Sequence, residues 1–209
     1  MKRTKNINHN RFRKVQSFWK YSALFIAIGS TFFLTACDEF EEENVSVYST
    51  VQACESNAPT KEAKDRCALD YQNALSQNKE TAPKYSSQRD CEDEFGSNQC
   101  TTTNSTHSSV MWFPIMSGYS SSHANYPSQP LYSSTRTSSP MYNKFVDAKG
   151  NSFGQFKYSG SASVSKAALA PKPAVTSTVT RGGFGSTVTS HAAKSSSFHS
   201  SSGSRSFGG

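Results

Sequence analysis

TKEAKDRCALDYQNALSQNKE, residues 60–80, has the periodicity of an amphipathic helix. Ala63, Cys67, Tyr71 and Leu75 recur every fourth residue with Ala74 alongside. That spacing lays an apolar stripe along one face of a helix. Pro59 stands near its start and Pro83 closes it, because proline cannot continue a helix.

Outward from this helix, a second and shorter one is predicted at 87–95. Ser87 can cap it, Cys91 and Phe95 share a face, and Gly96 suits its C-terminal turn. Val45-Ser46-Val47-Tyr48 alternates like a short strand. Tyr48 to Cys54 is echoed at Tyr85 to Cys91 by matching Tyr, Ser and Cys, and each copy is followed by another cysteine, Cys67 and Cys100. Four cysteines permit three pairings. Cys54 with Cys67 and Cys91 with Cys100 is favoured, since each bridge then closes one repeat. The spacings do not suit a zinc knuckle and no histidine lies between 45 and 100, so neither a metal nor another cofactor is expected. The expected fold is a small, mainly α, disulfide-pinned module over about 45–100.

From residue 101 onward Ser, Thr, Gly and Pro dominate. Such a composition offers little apolar surface to offset chain entropy, so a long, largely disordered tail is expected. Residues 101–160 form a low-complexity segment with an apolar island at 110–119, where Trp112 and Phe113 are candidates either for packing on the helical module or for docking a partner or a membrane surface. Residues 161–209 form a basic Ser/Gly-rich end, with an extended Ala170-Pro171-Lys172-Pro173.

The N-terminus carries an address. Residues 1–20 hold seven Lys/Arg and no acid, Tyr21 to Thr35 are nearly all apolar or small, and Leu34-Thr35-Ala36-Cys37 follows. This is the layout of a secretory signal, and the cysteine at the expected cleavage point makes it resemble a bacterial lipoprotein signal. Residues 1–36 are thus expected to be removed, Cys37 to be acylated with palmitate-type chains, and 37–44 to serve as an acidic tether. The apolar run falls short of the roughly 20 residues of a bilayer span. Asp38 after the cysteine favours the inner membrane, with the mature chain on the periplasmic side. An oxidising compartment agrees with disulfides.

Removing the signal also removes the excess charge. The chain has 22 Lys/Arg and 15 Asp/Glu, and the loss of seven bases leaves 15 of each. Nucleic-acid binding is therefore not expected. The charge is polarised: 38–100 carry fourteen acids and six bases, and 101–209 carry nine bases and one acid. The halves can attract one another, or the basic half can face anionic lipid or glycan.

Met1-Lys2-Arg3-Thr4-Lys5, the Leu34–Cys37 box, Val45-Ser46-Val47-Tyr48 and Thr81-Ala82-Pro83-Lys84-Tyr85 resemble the YgiB family of enterobacterial lipoproteins. So do Ala170-Pro171-Lys172-Pro173, the run from Thr178 to Gly185, and Gly208-Gly209. The tract after Tyr119 is richer in Ser and poorer in Gly and Met than that family's pattern. The resemblance implies no catalytic residue. Members are often encoded beside ATP-grasp enzymes similar to glutathionylspermidine synthase, which implies a peptide-ligating partner.

Three function classes follow. The leading one is a membrane-anchored envelope lipoprotein, structural or adaptor in role, whose partners are the bilayer and an envelope protein. The alternative is a substrate or partner of an ATP-grasp ligase through the Gly208-Gly209 tail. An enzyme is not expected: His107, His123, His191 and His199 lie in Ser-rich sequence, and no nucleophile-elbow or zinc-helix motif occurs.

Overall fold

The structure, a computed structural model, describes residues 41–102 and 110–199. The chain opens with β1 (Glu42–Tyr48), α1 (Val51–Glu55), α2 (Lys61–Thr81) and α3 (Gln88–Phe95). Short strands follow: β2 (Cys100–Thr102), β3 (Trp112–Pro114), β4 (Gly118–Ser120), β5 (Gln129–Leu131), β6 (Lys144–Val146) and β7 (Ser152–Gln155). The last elements are β8 (Ser159–Ser165), α4 (Lys166–Leu169) and α5 (Gly183–His199).

The helices form where capping and spacing direct them. Thr60 Oγ1 accepts from Ala63 N at the start of α2, and Ser87 Oγ accepts from Asp90 N at the start of α3. Each supplies a bond to a backbone N–H that the helix itself cannot satisfy. The buried face of α2 is Cys67, Asp70, Ala74, Asn78 and Thr81. It is therefore partly polar, and those polar groups are partnered. Tyr132 Oη donates to Asn78 Oδ1 at 2.7 Å, and Asp70 Oδ2 accepts from Ser122 N at 3.0 Å.

The expectation of a mainly α module with a disordered tail is overturned by the sheet. Strands run β5-β4-β1-β8, all antiparallel. β1 pairs along its whole length with β8, from Glu42 opposite Ser165 to Tyr48 opposite Ser159. The Ser-rich tract expected to be a tail thus supplies the longest partner of the first strand. Glu42–Asn44, expected as a solvated tether, are strand residues. Val45 and Val47 from β1 and Ala162 and Val164 from β8 point to one face, over Leu131, Phe145, Phe153 and Leu169. The serines between them face outward, which is the period of a half-buried strand.

A second cluster joins the middle of the chain to α5: Tyr85, Phe95 and the Cys91–Cys100 bridge pack with Tyr132, Met141, Phe184 and Val188. Phe95 lies between the two parts, its ring 6.1 Å from Tyr132 and 5.7 Å from Phe184. Between α4 and α5 the chain crosses as an extended strap. Val175 N donates to Glu80 O and Val179 N to Lys84 O. Among the described residues no helix is long and apolar enough to cross a membrane.

Candidate functional site

The structure places the sequence-predicted residues unevenly. Cys37, His107, Gly208 and Gly209 lie outside the described residues. The favoured cysteine pairing is present: Cys54 on α1 joins Cys67 on α2, and Cys91 on α3 joins Cys100 on β2. Trp112 and Phe113 lie on β3, opposite Thr102 and Thr101. Trp112 exchanges two backbone hydrogen bonds with Tyr85, at 2.7 and 2.9 Å. Phe113 is buried, with the Lys84 ammonium 4.2 Å from its ring centre. Most of the apolar island is therefore core, and what it leaves exposed is Val110 and Ile115. His123, Glu43 and Lys166 come together at one end of the sheet, whereas His191 sits on α5.

That end is the acidic terminus of the β1–β8 ribbon. Lys166 Nζ pairs with Glu41 and with Glu43, while Ser163 Oγ donates to Glu42 Oε2. The Glu41 carboxylate raises the Lys166 pKa, as a hydrogen-bonded anion must. The opposite terminus carries Lys157 and the exposed Tyr158, whose carbonyl accepts from Ser49 N and Oγ. Cys37 precedes β1 by five residues, so the acidic terminus is the one nearest it along the chain.

A shallow polar cleft of about 430 Å³ opens beside α3, lined by Gln88, Arg89, Glu92, Asp93, Ser97 and Arg136. Its charges are largely answered within it. Arg136 donates to Asp93 Oδ1 at 2.8 Å, Arg181 pairs with the same carboxylate, and Gln88 donates to Glu92. The acid-rich first part of the chain and the base-rich second part thus meet in the fold, at Asp93 and at Glu41–Glu43. Behind the cleft, buried Glu94 accepts from Gly185 N at 2.8 Å, and this carboxylate sits at the N-terminus of α5, where a negative charge is favoured. Burial nonetheless raises the Glu94 pKa. Burial and the adjacent carboxylate raise that of Tyr85, whose Oη completes no hydrogen bond of good geometry.

A buried polar cluster was not anticipated. Lys172 Nζ lies 3.2 Å from Asp147 Oδ2, with side chains only 4% and 1% exposed. It also donates to Gln129 Oε1, Ala168 O and Ala170 O. Asp147 accepts from Lys149 N, Asn151 N and Asn151 Nδ2, all within 2.9 Å. Burial lowers the Lys172 pKa against the raising effect of Asp147. One signal was available: Asp147 is the single acid of residues 101–209, and Lys172 is held between two prolines. This saturated cluster clamps the strap to the sheet. It presents no open coordination or nucleophile, and among the described residues no group of three or more His, Cys, Asp or Glu is placed to hold a metal ion.

Comparison with known proteins places this architecture in a family. A model described as "Protein of unknown function (DUF1190)" matches residues 42–196, beginning where β1 begins. A UPF0441 protein of Pectobacterium atrosepticum is 40% identical over 227 residues, covering 100% of both chains. Another, of Serratia proteamaculans, is 40% identical over 224 residues with the same coverage. A third, of Sodalis glossinidius, is 41% identical over 199 residues, covering 90% of this chain and 91% of its own. No solved structure matches. The chain belongs to this enterobacterial family of unknown function.

Proposed function

We propose that the protein is a lipid-anchored envelope lipoprotein of structural or adaptor role, held by acylated Cys37 on the periplasmic side of a membrane. The observation that carries this reading is the Leu34–Cys37 box behind a basic, then apolar, N-terminus. The two disulfides support it, because such bridges persist in oxidising compartments. So does the position of β1. Only four residues, 38–41, separate Cys37 from the first strand, and fully extended chain spans at most about 3.5 Å per residue. The folded part is then kept within roughly 20 Å of the lipid surface, with the acidic terminus of the ribbon nearest it and the cleft beside α3 available to an envelope partner. Asp38 favours the inner membrane. Two or three acyl chains anchor firmly at about 0.8 kcal/mol per buried methylene.

Fractionation of cells expressing Cys37→Ser tests this. The unsubstituted protein is expected in the inner-membrane fraction, and the variant is expected to keep its N-terminal segment and lose the mass of the acyl chains. An unsubstituted protein recovered wholly in the soluble cytoplasmic fraction contradicts the proposal.

A further inference from the structure

The sheet has two outer strands, and they are protected very differently. β5 is three residues long, contains Pro130 and is buried throughout. β8 is seven residues long, with no charged residue, no proline and no bulge in its pairing with β1. Native sheets usually guard such an edge with lysine, proline or a covering segment, because a row of unpaired backbone groups recruits another strand.

The register identifies which groups are unpaired. Lys166 N donates to Glu41 O and Ser49 N to Tyr158 O, so hydrogen-bonded pairs alternate from these two ends. Glu43, Val45 and Val47 therefore exchange bonds with Val164, Ala162 and Gly160. The N–H and C=O groups of Ser159, Ser161, Ser163 and Ser165 point the other way. Among the described residues no strand lies beyond them.

We propose that this edge pairs with the same edge of a second copy of the chain. The two β8 strands run antiparallel about a two-fold axis at Ala162, joining two four-stranded sheets into one of eight. One feature permits this occupant and a second selects its direction. The free groups fall on alternate residues placed symmetrically about Ala162, so Ser161 meets Ser163 of the other copy and Ser159 meets its Ser165. The ends of the edge are also opposite in charge. One has Glu41, Glu42 and Glu43 against Lys166 and His123, and the other has Lys157. Antiparallel pairing sets each acidic end against a basic one, whereas parallel pairing sets like against like. Ser161 and Ser163 side chains are exposed on the outer face, where cross-strand hydroxyl pairs form readily. The pairing does not depend on lipid attachment, although confinement to one surface raises effective concentration and favours it.

Mixed cross-linking of the full-length protein tests the register. Copies carrying Ser161→Cys are mixed with copies carrying Ser163→Cys and oxidised mildly. Directly paired residues lie about 5.5 Å apart between Cα atoms, within the range a disulfide spans. The mixture is expected to cross-link, and each variant alone to give only traces. Ser161→Pro removes an N–H that β8 does not use within its own sheet, and Ser163→Lys adds a guarding charge. Each is expected to weaken the dimer, measured by sedimentation, by about tenfold or more, with far-UV circular dichroism unchanged. A chain that is monomeric at all concentrations overturns the proposal, as does a dimer insensitive to both substitutions or equal cross-linking without mixing. A monomer whose edge captures a different protein's strand overturns it too.

Discussion

Residues 45–102 and residues 110–199 contribute to the same cores but are held in opposite ways. The first stretch contains both disulfides, closing sequence separations of 13 and 9 residues. The second has no cysteine at all and is fixed by strand pairing and by the buried Lys172–Asp147 cluster. The helices of the first stretch have modest apolar faces: α2 buries Asp70, Asn78 and Thr81 beside Cys67 and Ala74. Cross-links there offset a thin core by limiting the unfolded chain. In the second stretch the strap needs one anchor point, and an ammonium with four oxygen neighbours supplies it. A serine-rich segment can thus hold strands and a strap in place when a few inward residues and one satisfied charge pair position it.

Breaking the buried charge pair should destabilise the second stretch most. Asp147→Ala strands an ammonium in the interior, and losing one partner of a buried pair costs about 3–5 kcal/mol. Urea denaturation of the variant should show it. Substituting Lys172→Met together with Asp147→Leu should cost much less, since an apolar replacement leaves no orphan charge. Equal losses in the single and double variants would mean that the pair holds nothing by charge.

Removing the Cys54–Cys67 bridge through paired serine substitutions breaks the first mode, at about 2–4 kcal/mol. A thermal melt should fall without loss of the β1–β8 pairing, which lies in a separate cluster. Ser87→Ala removes the cap of α3 and should cost about 1 kcal/mol, read in the same melt.

The smallest effect concerns the seam between the stretches, where Glu94 of α3 meets Gly185 of α5. Burial raises the Glu94 pKa above the about 4.3 of the unfolded chain. The folded state therefore holds this proton more tightly. The group's contribution to stability is fully present below about pH 4.3 and is lost as pH rises through the raised folded value. Glu94→Gln should flatten that decline, as followed by denaturant titrations at several pH values. An unchanged slope would remove Glu94 from the seam.

How much of this was legible in the sequence varies with the physical signal. α2 and α3 were readable as helices because prolines, the Ser87 cap and helical spacing act locally, but the face α2 buries shares only Cys67 and Ala74 with the expected stripe; the cysteine pairs followed from the repeated Tyr-Ser-Cys pattern. β8 was hidden because Ser159–Ser165 carries its period in Ala162 and Val164 alone, too little hydrophobicity to stand out among serines. The short strands β3 to β7 have three or four residues each, and tertiary pairing rather than local preference sets such strands. Phe113 was identified as apolar, but whether it faces a partner or the core depends on Lys84 and Tyr85, which come from a distant part of the chain. Only Val45–Tyr48 hinted at the sheet, in which β8 is an outer strand among the described residues.

Intact mass of the protein purified from cell membranes reports lipid attachment and thiol state together. A chain beginning at Cys37 and heavier by its fatty acyl groups is expected, with Cys54, Cys67, Cys91 and Cys100 unavailable to a thiol reagent until reduced. A product that retains Met1, carries no acyl group and presents reactive thiols without reduction would contradict this expectation.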